Sequence, residues 1–380
     1  MSGGPVAGER ALRLGTRRSA LARTQSEHVA QALRERTGRA VELVEVTTEG
    51  DVSRAPLSSL GGTGVFATAL REALLAGRVD LAVHSLKDLP TAPAEGLVVA
   101  AVPPREDPRD VLVASGGRRL ADLPAGARVG TGSPRRAAQL RALRPDLEVV
   151  DVRGNVDTRL RMVSDGPLDA VVLARAGLLR LGRADEVTEV LGTDQLLPAP
   201  GQGALAVECR ADDEDVRAAC ALLDDAASRA ATTAERALLA ALEAGCAAPV
   251  GALAVADEDG GLHLTGLVAA LDGSATAART GAGTGADAAD LGRRVAAELL
   301  ASGSPALAPL SRSSVPTTGG PTGPTGPTGE HAPQTPQAAR LTTPPDPDHP
   351  DTPRTSSAAP QPASNTHDTA ADAPPERVHP

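Results

Sequence analysis

Aromatic side chains are almost missing from this sequence: 380 residues hold no Trp, no Tyr and a single Phe, Phe66. Ile is absent too, and one Lys, Lys87, stands against 37 Arg. A core without these residues has to be built from Leu, Val and Ala. Without rings there is little on which unpaired bases could stack, and the net charge of −10 also argues against a general nucleic-acid binder. Cysteine is scarce. Cys209, Cys220 and Cys246 are an odd number with no C-x-x-C spacing, which argues against a disulfide framework and a zinc site. No apolar run approaches the ~18 residues of a membrane span. The start, M-S-G-G-P-V-A-G-E-R, lacks a basic end followed by an apolar stretch, so no secretory signal is expected. Together these absences predict a reduced, cytoplasmic protein.

Residues 305–380 differ from the rest. They hold 18 of the 32 prolines, with much Thr, Ser and Ala. Such a segment buries too little apolar surface to offset its ordering entropy, so a disordered tail is expected over 305–380. Its short G-P-T repeat, residues 320–329, has too few triplets for a collagen helix. About 300 residues remain, enough for several cores.

That part alternates strand-like and helix-like segments. Short runs rich in Val and Leu predict strands at 12–15, 41–46, 79–83, 97–102, 110–113, 128–130, 147–152, 170–173 and 205–208. Helices are expected at 20–36, with Ser19 as N-cap and Gly38 past its end, and at 66–76. The alternation predicts α/β domains with largely parallel sheets. A helix at 227–244, a hairpin at 250–271 around Asp259-Gly260-Gly261 and a helix at 286–300 predict a smaller α+β unit. Two Pro-rich segments, 102–104 and 197–201, read as crossings between domains. The expected organisation is 1–103 with 200–222, then 104–199, then 223–304. A weak echo links 12–19 to 127–136: each is a strand, a Gly-Thr, two arginines and a helix.

The cations fall at one kind of place. Arg17 and Arg18, Lys87, Arg135 and Arg136, and Arg153 and Arg159 each follow the carboxyl end of an expected strand. In open parallel sheets that edge faces the ligand crevice, and helix N-termini there favour anions. In Ser133-Pro134-Arg135-Arg136, Ser133 suits an N-cap and Pro134 the first helical position. The arginines then sit at the positive end of the helix dipole, and a bound anion would resolve that conflict. Asn155 caps the helix of Arg159 in the same way. These features point to a cleft between two α/β domains that grips carboxylates. Asp88 adjoins Lys87. Its ionised form would be favoured among cations, either to bind N–H groups and pass protons or simply to pair with Lys87. His84 reads as a hydrogen-bonded core residue. Cys246 lies just past a helix C-terminus, where the dipole does not lower a thiol pKa. Cys209 and Cys220 read as inert packing residues.

Seven motifs together resemble the porphobilinogen deaminase family. They are T-R-R-S-A-L-A (16–22), H-S-L-K-D-L-P (84–90), R-E-D-P-R-D (105–110) and G-T-G-S-P-R-R (130–136), followed by R-G-N-V-D-T-R-L (153–160), L-P-A-P-G-Q-G-A-L (197–205) and A-G-C-A-A-P-V-G (244–251). They occur in the family's order across residues 10–304. The resemblance implies two domains like periplasmic binding proteins, with a cleft between them, and a smaller α+β domain. It implies an enzyme that joins four porphobilinogen molecules head to tail, releases ammonia and yields hydroxymethylbilane. The implied cofactor is a dipyrromethane held through a thioether at Cys246, where a reactive azafulvene electrophile would not need a strong thiolate. Asp88 matches the catalytic aspartate. Arg17, Ser19, Lys87, Ser133, Arg135, Arg136, Arg153 and Arg159 match residues that bind cofactor or substrate carboxylates. Phe66 matches a ring near the cofactor and Gln202 a residue near the hinge. A monomer that passes its product to uroporphyrinogen-III synthase, with no nucleic-acid or membrane partner, is also implied. The sequence departs from the family at Ser59 and Thr63, where lysines are common, at Gly132, where Ser is usual, and at Pro134, where Leu is usual. Two other readings are a non-catalytic small-anion binder of the same architecture and a nucleic-acid or phosphate binder using the Arg pairs.

Overall fold

The structure is a computed structural model and describes residues 10–47, 65–244 and 248–311. In chain order the strands are β1 (Leu12–Thr16), β2 (Val41–Glu45), β3 (Leu81–Ser85), β4 (Leu97–Ala101), β5 (Asp110–Ala114), β6 (Arg128–Gly130), β7 (Glu148–Val150), β8 (Ala170–Ala174), β9 (Glu189–Val190), β10 (Leu205–Arg210), β11 (Val250–Ala256), β12 (Gly261–Ala269) and β13 (Thr276–Thr284). The helices are α1 (Ala20–Thr37), α2 (Val65–Leu75), α3 (Pro134–Leu143), α4 (Val156–Ser164), α5 (Arg175–Arg180), α6 (Glu214–Ala221), α7 (Ala226–Ala241), α8 (Ala288–Ala301) and α9 (Ala308–Ser311).

Two five-stranded sheets share one plan. The first has the order β2-β1-β3-β10-β4 and the second β7-β6-β8-β5-β9. In each, the central strands pair in parallel and one strand runs antiparallel: β10 between β3 and β4, and β5 between β8 and β9. The sheets are therefore mixed rather than largely parallel. Each antiparallel strand is the first one the chain forms after crossing from the other sheet, so it arrives from the opposite direction. Strand-like composition carries no record of that direction. The echo between 12–19 and 127–136 corresponds to equivalent strands, β1 and β6, with Ser19 and Ser133 capping the helices that follow. The arginine pairs are not equivalent: Arg17 and Arg18 precede their cap, whereas Arg135 and Arg136 follow theirs.

Local chemistry explains why these segments form. Ser19 Oγ accepts from Ala22 N at the start of α1, and Gly38, with φ 72°, closes it by donating to Arg34 O. Only glycine adopts that conformation without strain. Ser26 and Gln25, buried on α1, bond Thr16 and Ser85 at the ends of β1 and β3. Leu12, Leu14, Leu33, Leu81 and Val207 then fill the core between α1 and its sheet. The second sheet packs Leu112, Val129, Leu140 and Val172 on one face and Val111, Val171 and Leu160 on the other. The two crossings touch. Gly203, with φ 88°, lies so close to the first crossing that a Cβ there would sit 2.3 Å from Glu106 O.

The third sheet, β11-β12-β13, is antiparallel throughout. α7 and α8 cover it with Ala234, Leu238, Leu291, Val295 and Leu299. The hairpin of β11 and β12 is the one expected from the sequence, and β13 adds a third strand to it. The T-A-A-R-T-G-A-G-T run buries only Ala277, so it shows no alternation, and pairing with β12 alone makes it a strand. Glu235, fully buried on α7, ties this layer to both crossings. It accepts from Arg105 Nη1 (2.6 Å) and Nη2 (3.0 Å), from Gly201 N (2.7 Å) and from Ala254 N (2.9 Å). Residues 305–311, expected at the head of a disordered tail, are folded instead. A 3₁₀ turn at Pro305–Leu307 and then α9 seat Ala306 and Leu310 in the third core. Two apolar side chains in a Pro-rich context gave too weak a signal to read in advance. Residues 312–380 lie outside the described residues, and among the described residues no helix is long and apolar enough to cross a membrane.

Candidate active site

β3 runs straight into a 3₁₀ turn, Leu86–Asp88. Leu86 and Leu89 are buried, and Leu86 N donates to Ala204 O at 3.0 Å. These anchors leave Lys87 half-buried and Asp88 exposed between them. Burial pushes the Lys87 pKa down; Asp88 opposes that shift, while Arg136 and Arg135 add to it. Lys87, from the first sheet, thus lies within the electrostatic reach of two arginines of the second. Arg159 shows the converse. Its pKa is lowered by burial and by Arg136 and Arg153, and Asp151 and Asp88 oppose the shift. The carboxyl edges of the two sheets therefore face each other, as the strand-end cations led us to expect.

On the second sheet, Ser133 caps α3 by accepting from Arg136 N at 3.5 Å, and Pro134 takes the first turn. Gly132 packs so tightly that a Cβ would lie 2.5 Å from Val152 O, which suits the departure from Ser there. Arg135 and Arg136 are almost fully buried. Their place at the positive end of a helix dipole predicts a bound anion. The structure instead supplies a carboxylate from within the chain, Asp110 at the start of β5. Arg135 Nη2 lies 2.8 Å from Asp110 Oδ2, and Arg136 donates to Oδ1 from Nε at 2.9 Å. Arg135 Nη1 also donates to Leu197 O at 2.6 Å. Burial alone would raise the Asp110 pKa, but the two guanidinium groups and the Gln202 amide hold it down at about 2.

Gln202 completes this frame from the second crossing. Its Nε2 donates to Asp110 Oδ1 (2.8 Å) and Pro108 O (2.7 Å), and its Oε1 accepts from Arg136 Nη2 (3.3 Å). Sequence reasoning gave Asp110 no role, although it is the last residue of the R-E-D-P-R-D motif. A carboxylate opening an apolar strand just after a crossing was the available signal.

The remaining cations differ in exposure. Arg17 is half-buried after β1, Arg18 pairs with Glu45 at 3.2 Å, and Ser19 caps α1. Asn155 caps α4 through Thr158 N at 2.9 Å, which sets Arg159 on its first turn. Arg153 is exposed and lies 3.2 Å from Asp151. Of these strand-end cations, two have a buried guanidinium atom without a hydrogen-bond partner, Arg135 Nε and Arg159 Nε. A buried donor left unsatisfied is costly, so these atoms fit a ligand that carries carboxylates, as a propionate- and acetate-bearing pyrrole does.

Cys246 and the loop with Ser59 and Thr63 lie outside the described residues. Phe66 is in the first turn of α2, but its side chain is not among those described. Cys209 and Cys220 are buried free thiols in one core, and Cys220 is pushed up by its hydrogen bond with Cys209 and by burial, in keeping with inert thiols. His84 is buried, with Nε2 3.2 Å from Glu208 Oε2, and Arg71 Nη2 lies 2.9 Å from Glu208 Oε1. It is a core residue as expected, but its buried Nε2 makes no hydrogen bond, contrary to the expectation of a hydrogen-bonded one. No group of three or more metal-ligating side chains forms among the described residues.

Two family models match the chain. One, described as porphobilinogen deaminase, dipyromethane cofactor binding domain, covers residues 12–218, and the other, porphobilinogen deaminase, C-terminal domain, covers residues 230–301. Porphobilinogen deaminase 1 of Streptomyces coelicolor is 60% identical over 311 residues, spanning 79% of this chain and 98% of that protein. Porphobilinogen deaminase of Mycobacterium tuberculosis is 60% identical over 297 residues, with coverage of 76% and 96%. Among solved structures, the methionine binding protein MetQ overlays on 56% of this chain and 89% of its own, at 13% identity and a TM-score of 0.38.

Proposed function

The chain belongs to the porphobilinogen deaminase family, and from that premise we propose how its cleft carries out the family's reaction. The enzyme is a transferase of tetrapyrrole and heme biosynthesis. It joins four porphobilinogen molecules head to tail with loss of ammonia and frees the linear hydroxymethylbilane. Its cofactor is a covalently bound dipyrromethane, which supplies the pyrrole end to which the first substrate unit is joined.

In this reading Cys246 holds the cofactor, and Lys87, Arg17, Arg153 and Arg159 bind the acetate and propionate groups. Arg159 and Arg135 each carry a buried Nε–H without a hydrogen-bond partner, which such a carboxylate would satisfy. Arg136 and Gln202 act one step back, by fixing Asp110 and with it the start of β5. Ser19 and Ser133 fix the helix N-termini at the cleft, and Phe66 packs near the cofactor.

Asp88 carries the chemistry. It accepts from pyrrole N–H groups and stabilises the positive charge that develops as ammonia leaves. That attraction grows toward the transition state, which is what accelerates a step. The observation behind this is its setting: an exposed carboxylate beside Lys87 and opposite Arg159, in a cleft otherwise suited to anions. A carboxylate there works against carboxylate binding, so it needs a different task.

The domains of this reading are 1–103 with 200–222, then 104–199, then 223 to about 311. Two free thiols within one core support a reduced, cytoplasmic setting. The protein acts as a monomer and passes its product to uroporphyrinogen-III synthase. Mass spectrometry of the intact protein tests the assignment. The mass should exceed that of the sequence by one dipyrrole, and Cys246→Ser should lose both the added mass and most activity. An unmodified wild-type protein with full activity would refute it.

A further inference from the structure

The turn that carries Lys87 and Asp88 is gripped from behind by a residue of the third layer. Arg236, on α7, donates from Nη1 to Leu86 O (3.3 Å) and Leu89 O (2.8 Å), and from Nη2 to Pro90 O (2.6 Å). These carbonyls bracket Asp88 on both sides along the chain. The guanidinium is planar with its donors in a fixed fork, so a single side chain sets the relative places of three carbonyls. Leu86 and Leu89 pack the turn against its own sheet, but on the α7 side a pocket of about 270 Å³, lined by Leu86, Val102, Thr232 and Ala237 with Arg236 in its wall, leaves the guanidinium to make the contact.

α7 itself is held firmly. Arg229 binds Asp224 at 2.7 Å and Ala100 O at 3.1 Å, and Glu235 takes both Arg105 donors. The helix ends at Ala241, shortly before Cys246. One anchored helix thus leads to the cysteine and reaches across to the turn.

We propose that Arg236 is a positioning residue for the reaction: it holds the Lys87–Asp88 turn so that the Asp88 carboxylate is in place for the pyrrole N–H and the developing positive charge. It acts through Asp88 and touches no substrate, and the inference rests on the Asp88 reading above.

The test compares cofactor-loaded wild type, Arg236→Ala, Arg236→Lys, Asp88→Ala, Asp88→Glu and the Arg236→Ala/Asp88→Glu double variant. Arg236→Ala should still carry the dipyrrole by mass and keep KM within about twofold. Its kcat should fall roughly 10- to 100-fold, the scale expected for small misplacements of a reacting group. Amide exchange over residues 86–90 should quicken while α7 keeps its protection. Arg236→Lys should recover part of the loss, since an ammonium can reach some of the carbonyls. Once Asp88→Glu has moved the carboxylate, Arg236→Ala should cost less than about threefold more, because coupled residues are not additive. An undiminished loss in that background overturns the inference. So does wild-type kcat in Arg236→Ala while Asp88→Ala is impaired. Wild-type kcat in Asp88→Ala overturns the Asp88 reading and this inference with it. If Arg236→Ala fails to fold, Arg236→Lys alone and combined with Asp88→Glu gives the same comparison.

Discussion

Gln202 Nε2 donates to Asp110 Oδ1 at 2.8 Å, so one residue from each of the two chain crossings meets the other. The same oxygen accepts from Arg136, and Gln202 Oε1 accepts from Arg136 in turn. Both crossings and the first turn of α3 therefore close on a single buried carboxylate.

Asp110→Asn should be among the most destabilising single changes outside the apolar cores. It leaves two buried guanidinium groups uncompensated, at a cost of about 3–5 kcal/mol. Urea unfolding of the variant checks this, and a loss below about 1 kcal/mol would show that water relieves the pair. The pH dependence follows from the same residue. The folded-state pKa is depressed to about 2, against roughly 3.9 for an unfolded aspartate. Its contribution is complete above about pH 4 and is lost as pH falls toward 2. Thermal melts across that window should fall more steeply in wild type than in Asp110→Asn.

Asp88→Ala should lower kcat by orders of magnitude and change KM much less, because the attraction it loses is largest in the transition state. Asp88→Glu keeps the charge at a displaced position and should retain partial activity. Steady-state kinetics on cofactor-loaded protein decide it, and near wild-type kcat in Asp88→Ala would reduce Asp88 to a partner of Lys87.

Arg159→Ala should harm cofactor assembly or chain growth more than Arg153→Ala. Arg159 has a buried, unpartnered Nε, whereas Arg153 is exposed beside Asp151. A charge-assisted contact is worth roughly 1.5–3 kcal/mol when buried, about ten- to a hundredfold in affinity, and much less when solvated. The extent of cofactor loading and the spread of partly elongated species by mass give the ranking, and equal effects would contradict it.

Truncation should separate two boundaries. A chain ending at Ser311 should melt and turn over like the full protein. One ending at Ser304 loses Ala306 and Leu310 from the third core and should be about 1–3 kcal/mol less stable. Equal stability of the two would mean that α9 packs without consequence.

The sequence by itself determined the parts whose causes lie within a few residues. Ser19, Ser133 and Asn155 are N-caps where their side chains and the helical runs after them said they would be, and Gly38 ends α1. The cations at strand ends were legible because a strand followed by a capped helix puts its connecting residues on one edge. Only the tertiary structure decided who pairs with whom. Asp110 meets Arg135 and Arg136 from 25 and 26 positions away, and Arg236 reaches Leu86 from 150. β10 runs antiparallel beside β3, and β13 is a strand only because β12 lies next to it. Capping and turn chemistry act through neighbouring backbone groups and leave a mark in local sequence. The partner of a buried charge is set by which distant segment the fold brings within about 3 Å of it, and no local pattern records that.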